Sequence, residues 1–590
     1  HQVRKRGSSL RKRTLGFVAL GAAASIFLSA CGGGDTGGES ASGNTFDQGS
    51  TEVVNPSDKT GGTLRYALAS DFDSTDPANT YYAFNWNFSR YYARTLLAFN
   101  PVPGEGATEL VPDMAEALPE PNDDFTEWTI KIKEGLKYED GTEITAEDIK
   151  YGIARSNFNG GVFTEGPQYF SAHLDQDDHN VYEGSDPLEG FDSIETPDDY
   201  TLVFHLKDSF SEFPNVLVQP QTAPVPVEAD RGELYQEQVL SSGPYKFDGK
   251  YEPGVKLHLE RNEHWDPETD PIRPALPDRI EVEIGVNQDE IDERLVNGEI
   301  DVDLAGTGVG PSMFARLVDD ESVQGNLDNP YSGALRYVNI HTPVIEDVAC
   351  RQAIMYAANR DSMWRAWGGD TGGDIATNLL PPTIPGSNPE ADLYPSEDDT
   401  GDLEAAKEKL EKCGEADGFS TNIAVRAERE KDVQTAEALQ ESLARVGIEV
   451  DIKTFPSADF FGQYAGSQDY VRENDIGLSV SGWGPDWPTG YGFASKITHG
   501  DAIMETGNFN TSELDDPEIN GLWDQALQTE DPEERAALYE QIDTLVMESA
   551  AILPVVFDKT LIYRSDELTN VYYQPSYMMY DFMTLGVDRD

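Results

Sequence analysis

The segment Gly482-Trp483-Gly484-Pro485-Asp486-Trp487-Pro488, followed by Tyr491 and Phe493, sets two indoles and a carboxylate on an irregular Gly/Pro stretch. Apolar walls with a few placed polar groups are what a cleft for a small ligand needs, and loops carry such groups more often than cores do. Core packing is the competing use for Trp483, Trp487 and Tyr491, and residue type alone leaves both uses open. Two more aromatic concentrations exist: Tyr81, Tyr82, Phe84, Trp86, Phe88, Tyr91 and Tyr92, then Tyr572, Tyr573, Tyr577, Tyr580 and Phe582. Nothing asks for catalysis. There is no GxSxG elbow, no HExxH and no P-loop, and no two histidines stand at i and i+4. Carboxylate pairs are so frequent in this chain that they carry no weight as dyads. The reading is a binding protein, not an enzyme, with no catalytic residues and no cofactor.

Metal chemistry finds little support either. Leu174-Asp175-Gln176-Asp177-Asp178-His179 clusters oxygens but lacks the spacing and glycine of an EF-hand, so it reads as a solvated acidic loop. No Cys/His cluster has zinc spacing. Of three cysteines, Cys350 and Cys413 either bridge, as an oxidising compartment favours, or remain two buried thiols.

The third, Cys31, closes Leu28-Ser29-Ala30-Cys31. Six basic residues (Arg4, Lys5, Arg6, Arg11, Lys12, Arg13) precede an apolar run from Leu15 to Leu28, too short for a permanent bilayer span. That order is a secretory signal, residues 1–30, ending in a lipobox. The expectation is a chain exported across the membrane, acylated at Cys31 and held on the extracellular face; two acyl chains anchor stably where one would not. Residues 31–60, rich in Gly, Ser, Thr, Asp and Asn, read as a flexible spacer.

The net charge is −65, and −71 once the signal is removed. Phosphates would be repelled, so nucleic acid is no partner. The acids are spread along the chain, which reads as a heavily hydrated surface suited to saline or alkaline surroundings, with self-repulsion in low salt.

The elements that must position the aromatic loop mix strand and helix throughout, an α/β pattern. Trp128-Thr129-Ile130-Lys131-Ile132 alternates as a half-buried strand does. Thr145 caps a following helix. Asp402 caps an amphipathic helix through Lys412 that Gly414 stops; a second runs from about Asp432 to Val446 before Gly447, with a strand Ile448–Ile452 behind it; a third spans Pro532 to Ser549. The acidic, Gly-rich stretch 158–196 reads as a surface insertion.

Together these segments resemble the extracytoplasmic solute-binding proteins of dipeptide/oligopeptide-type ABC transporters, solute-binding protein family 5. The resemblance runs from about Gly61 to the C-terminus. Its strongest part is the segment from Trp128 to Ile149, with Lys133-Glu134-Gly135-Leu136-Lys137-Tyr138 and Asp140-Gly141-Thr142 at its centre. Support comes from Gly243-Pro244-Tyr245, Leu259-Glu260-Arg261-Asn262, Arg351-Gln352-Ala353-Ile354 with Asn359-Arg360, and Leu380-Pro381-Pro382. The lipobox agrees, since Gram-positive members are lipoproteins.

The resemblance implies a two-lobed, type II periplasmic-binding-protein-like clamshell with a third domain. Lobe I would be 61–105, 190–331 and 546–590, the extra domain 106–189, and lobe II 332–545. It implies a monomer that takes up peptides, closes by hinge motion and docks on an ABC permease with cytoplasmic ATPases. Asp486 matches the aspartate that neutralises the peptide ammonium, and Arg426 the arginine that dipeptide-type members offer to the ligand carboxylate. Trp483, Trp487 and Tyr491 would wall the pocket. A Cys350–Cys413 bridge would lie within lobe II, as in related binders. The family also includes binders of oligosaccharides, nickel or other metal chelates, and haem, and a peptide-sensing receptor without import is a further alternative.

Overall fold

The computed structural model describes residues 46–589. The signal segment, Cys31 and the first part of the spacer lie outside these residues. Two sheets organise the molecule. In lobe I five strands lie in the spatial order Val302–Asp303, Thr63–Leu68, Arg279–Ile284, Lys256–Arg261 and Tyr245–Phe247. Thr63–Leu68 runs parallel to Arg279–Ile284, with Leu64 opposite Ile280 and Tyr66 opposite Val282. All four of these side chains are buried, so a slip by one residue would turn the apolar set to solvent.

A four-stranded antiparallel sheet, in the order Glu120–Pro121, Glu127–Lys131, Thr201–His205 and Ile194–Asp198, forms the third unit. Trp128 and Ile130 point inward while Glu127 and Lys131 are exposed, the alternation expected from sequence. The helix Ala146–Asn157 opens with a capping box, Thr145 N–H donating to Asp148 Oδ2 at 2.8 Å. This unit has no core of its own: Trp128, Ile130, Ile149 and Phe204 belong to one apolar cluster with Tyr66, Phe88 and Leu259 of lobe I.

Lobe II is built on six strands in the order Gly373–Ile375, Ile552–Lys559, Tyr331–Ile340, Ile476–Trp483, Ser420–Arg426 and Glu449–Phe455. Helices cover both faces. Leu403–Lys412 and Glu430–Ala444 pack on the side of Val338, Ile423 and Val425, and Pro517–Leu527 and Pro532–Ser549 on the side of Leu335, Tyr337 and Phe557. Asp402 and Asp531 cap their helices by accepting from the next backbone N–H groups. Cys350 and Cys413 form a disulfide that ties the helix Val348–Ala357 to the C-terminal end of Leu403–Lys412.

Within the described residues the chain passes between the lobes twice, at Asp328–Tyr331 and Lys559–Ile562. The two passages run side by side: Asp328 pairs with Ile562, Tyr331 with Lys559, and Thr560 N–H donates to Pro330 O at 3.1 Å. Just beyond, Gly333 adopts φ +76° where the register between the long strands breaks, a conformation that favours glycine.

Three boundaries differ from the sequence expectation. Strands 194–205 pair with Glu127–Lys131, so the third unit continues past residue 189. Ile552–Lys559 pairs with Tyr331–Ile340, so lobe II continues past 545. Residues 46–60 do not all behave as spacer: Asp47 N–H donates to Leu327 O at 2.9 Å, Gly49 N–H to Asp328 Oδ1 at 2.8 Å, and Val54 is buried and bridges Val571.

Candidate functional site

The strand Ile476–Trp483 runs straight into the Gly/Pro loop, and the helix Gly490–Thr498 leaves it. Thr489 caps that helix, its Oγ1 accepting from Gly492 N–H at 3.0 Å, and Asp486 N–H donates to Gly492 O at 3.0 Å. Glycine is required at 490, where a Cβ would stand 2.3 Å from the Tyr539 ring. The loop is thus pinned from both ends, and Asp486 projects toward lobe I.

Its carboxylate is received there by two phenols. Tyr81 Oη donates to Oδ1 at 2.6 Å, and Tyr169 Oη donates to Oδ2. Burial pushes the Asp486 carboxyl up, against the hydrogen bonds from Tyr169 and Tyr81 and the Lys496 ammonium, which pull it down. Burial likewise pushes the Tyr169 phenol well up, reinforced by the Asp486 charge. Lys496 Nζ stands 5.2 Å over the Tyr169 ring. Asp486 also lines a cavity between the lobes with Trp86, Arg90, Asn215, Gln219 and Tyr577.

A second inter-lobe carboxylate lies behind the loop. Glu212 precedes the short helix Phe213–Val216 of the lobe I side and is 1% exposed. It accepts from Trp487 Nε1 at 2.7 Å, from Thr489 Oγ1 at 2.6 Å and from Tyr539 Oη, and Arg535 Nε stands 3.6 Å away. All four partners are in lobe II. The backbone continues this seam: Ser211 N–H donates to Leu527 O at 2.8 Å.

Trp483, Asp486, Trp487 and Tyr491 therefore come together on one loop and helix start, and Arg426 does not join them through any contact. Trp483 Nε1 donates to Phe493 O at 2.6 Å and its ring meets Phe509. Trp487 is buried, its indole N–H taken by Glu212 and its face met by Tyr169. Tyr491 packs among Phe210, Trp487 and Trp523. Arg426 ends the strand Ser420–Arg426, is 8% exposed and donates from Nε to Asp432 Oδ2 at 2.7 Å, with Phe460 beneath its guanidinium.

Sequence reasoning missed Tyr169 and Glu212. Tyr81 was visible as part of an aromatic cluster. Tyr169 lies inside the acidic, Gly-rich stretch 158–196, yet the helix Tyr169–His173 buries Tyr169 and Phe170. Among the described residues no group of three or more His, Cys, Asp or Glu side chains could hold a metal ion, and no helix is long and apolar enough to cross a membrane.

Comparison with known proteins gives this geometry a context. A family model described as bacterial extracellular solute-binding proteins, family 5 (middle region), matches residues 109–505. Clavulanic acid biosynthesis oligopeptide binding protein 2 is 42% identical and superposes with a TM-score of 0.88, covering 92% of this chain and 98% of that one. Glutathione-binding protein GsiB of Shigella boydii serotype 4 (strain Sb227) is 24% identical over 480 residues, 77% of this chain and 82% of that protein. The periplasmic binding protein DppA from Helicobacter pylori, in complex with peptide STSA, shares the fold at 21% identity with a TM-score of 0.67, covering 90% of this chain and 99% of that one.

Proposed function

Because the chain belongs to the bacterial extracellular solute-binding proteins of family 5, we propose that it captures short peptides between its lobes and delivers them to an ABC permease. The observation that carries this reading is Asp486: a carboxylate on a cleft loop, raised in pKa by burial and bordering an inter-lobe cavity. A peptide ammonium brought to that carboxylate gains the counter-charge that burial demands. The paired passages at Asp328–Tyr331 and Lys559–Ile562 support closure by rotation about one hinge. The relatives named for oligopeptide, glutathione and peptide ligands point the same way.

In this reading the chain works as a monomer tethered by lipid at Cys31 to the extracellular face of the membrane, beside a permease and its ATPases. Cys31→Ser should then release the protein into the medium, followed by immunoblot of medium and membrane fractions. Asp486→Asn tests the ligand. By calorimetry it should weaken free-amine peptides far more than their N-acetyl forms, and equal loss for both would remove the ammonium role.

A further inference from the structure

The chain carries 108 acidic and 43 basic residues, so a place where cations outnumber carboxylates stands out. One lies on lobe II. Arg336 is in the strand Tyr331–Ile340, and Arg426, Arg429 and Lys431 mark the passage from the strand Ser420–Arg426 into the helix Glu430–Ala444. These four cations gather about two carboxylates, each of which already holds an arginine. Asp432 Oδ2 accepts from Arg426 Nε at 2.7 Å. Asp558 accepts from Trp367 Nε1 at 2.8 Å through Oδ1 and from Arg336 Nη2 at 2.7 Å through Oδ2. The neighbouring acids are engaged elsewhere, Glu428 by Ser457 and Glu430 by Gln434.

Two cations of the group are left without a counter-charge. Among the described residues neither the Arg429 guanidinium nor the Lys431 ammonium has a hydrogen-bond or ion-pair partner. Lys431 Nζ lies 4.9 Å from the centre of the Trp367 ring, which Arg336 Cζ also faces at 4.8 Å. Burial pulls both Arg429 and Lys431 down, and the Arg336 charge pulls both further, against Asp432 and Asp558. The helix start adds to the excess. Arg429 is its N-cap and offers no acceptor to the first backbone N–H groups, where the partial positive charge of a helix favours an anion. Arg336 Nε is a further buried donor with no acceptor.

The group borders the seam between the lobes. Arg336 pairs with Gly482, and its Nη1 would stand 2.5 Å from a Cβ there, so the guanidinium lies against the strand end that leads to Asp486. Asp558 immediately precedes the passage Lys559–Ile562, and its charge reaches the phenol of Tyr573 in the lobe I core, whose Oη is buried without a partner. Arg429 and Lys431 stay exposed, so an anion reaches them from solvent and needs no closed cavity.

We propose that Arg429, Lys431 and Arg336 form the subsite for the anionic end of the ligand, and that the two uncompensated cations select peptides ending in an acidic residue, with two carboxylates, over neutral ones. This rests on the reading above that the peptide lies between the lobes. Arg426, held by Asp432, adds to the field at Arg429.

The test uses the full mature chain in about 0.15 M salt and two probes of matched shape, Ala-Ala-Glu and Ala-Ala-Gln, by calorimetry. Wild type should bind Ala-Ala-Glu about tenfold or more tighter, the scale of one hydrogen bond to a charged group. Arg429→Gln combined with Lys431→Gln, at two exposed positions, should erase or reverse that preference, because the remaining negative chain repels the extra carboxylate. A wild type that binds the two peptides alike, or a double variant that keeps the preference, overturns the subsite. An acid preference with no penalty for N-acetyl-Ala-Ala-Glu would overturn the Asp486 role and leave the subsite standing. If no tripeptide binds, glutarate is the probe. At fixed ionic strength it should raise the thermal midpoint of wild type and not that of the double variant; no rise in wild type, or an equal rise in both, overturns the proposal.

Discussion

Glu212 and Trp487 meet across the seam between the lobes, the carboxylate of one accepting the indole N–H of the other at 2.7 Å. The contact places a lobe I acid directly behind the loop that carries Asp486. Its further partners Thr489, Tyr539 and Arg535 are all in lobe II, so separating the lobes would break every one of these contacts. Hydrogen bonds to a charged acceptor contribute about 1.5–3 kcal/mol each. Glu212→Ala should therefore favour the open form. Small-angle scattering should show a larger radius of gyration than wild type, and Trp487 fluorescence should shift to the red as its ring gains water. An unchanged radius would deny Glu212 this role.

Gly490→Ala is expected to disturb the same seam from the other side. A Cβ there would meet the Tyr539 ring at 2.3 Å, and Tyr539 is itself a donor to Glu212. Overpacking of this kind costs about 1–3 kcal/mol. The denaturation midpoint should fall, while Gly521→Ala, on a helix position with open space around its Cβ, should hold or raise it, since alanine is the better helix former.

The bridge between Cys350 and Cys413 closes a long loop, its ends 63 positions apart. Restricting the unfolded chain in this way is worth about 4 kcal/mol in the chain-entropy account. Both cysteines sit on helices of lobe II, outside the two inter-lobe passages, so reduction should lower the thermal midpoint without abolishing peptide binding at 25 °C. A midpoint insensitive to dithiothreitol would contradict the first half of that expectation.

His341 supplies a pH dependence. It is fully buried beside Ser479, and burial pulls its imidazole down to about 3, from an ordinary value of 6.5. The folded state thus holds it neutral while the unfolded state takes up a proton below about 6.5. Its contribution is present above that pH and is lost as pH falls toward 3. His341→Gln should flatten the decline in stability between pH 6.5 and 4 in urea titrations; an unaltered slope would assign the decline to other groups.

Much of the scaffold could be read locally. The alternation of Trp128 to Ile132, the caps at Thr145 and Asp402 and the helix Pro532–Ser549 depend on neighbours within a few positions, and the structure places strands and helices there. The site was legible only on one side. Asp486 announced itself through its Gly/Pro loop, whereas its partner Tyr169 is 317 positions away and Glu212 is 327 from Tyr539. No spacing rule reaches that far. The misplaced lobe II boundary has a similar origin. Ile552–Lys559 is buried along almost its whole length, and a continuous apolar strand does not reveal which sheet it joins.

The C-terminal tail bears on how such a chain reaches its folded state. Lobe I opens near the N-terminus with Tyr66 and Tyr91, yet its core is finished by Tyr580, Phe582 and Leu585, and Tyr91 Oη donates to Phe582 O at 2.5 Å. Lobe II, from Tyr331 to Lys559, is one uninterrupted stretch with its own sheet. A chain emerging N-terminus first can complete the later lobe before the earlier one, which waits for the last thirty or so residues to arrive. Removing residues 560–589 would strip Tyr580, Phe582 and Leu585 from the core of the half made first and leave the sheet of the half made later with all six of its strands.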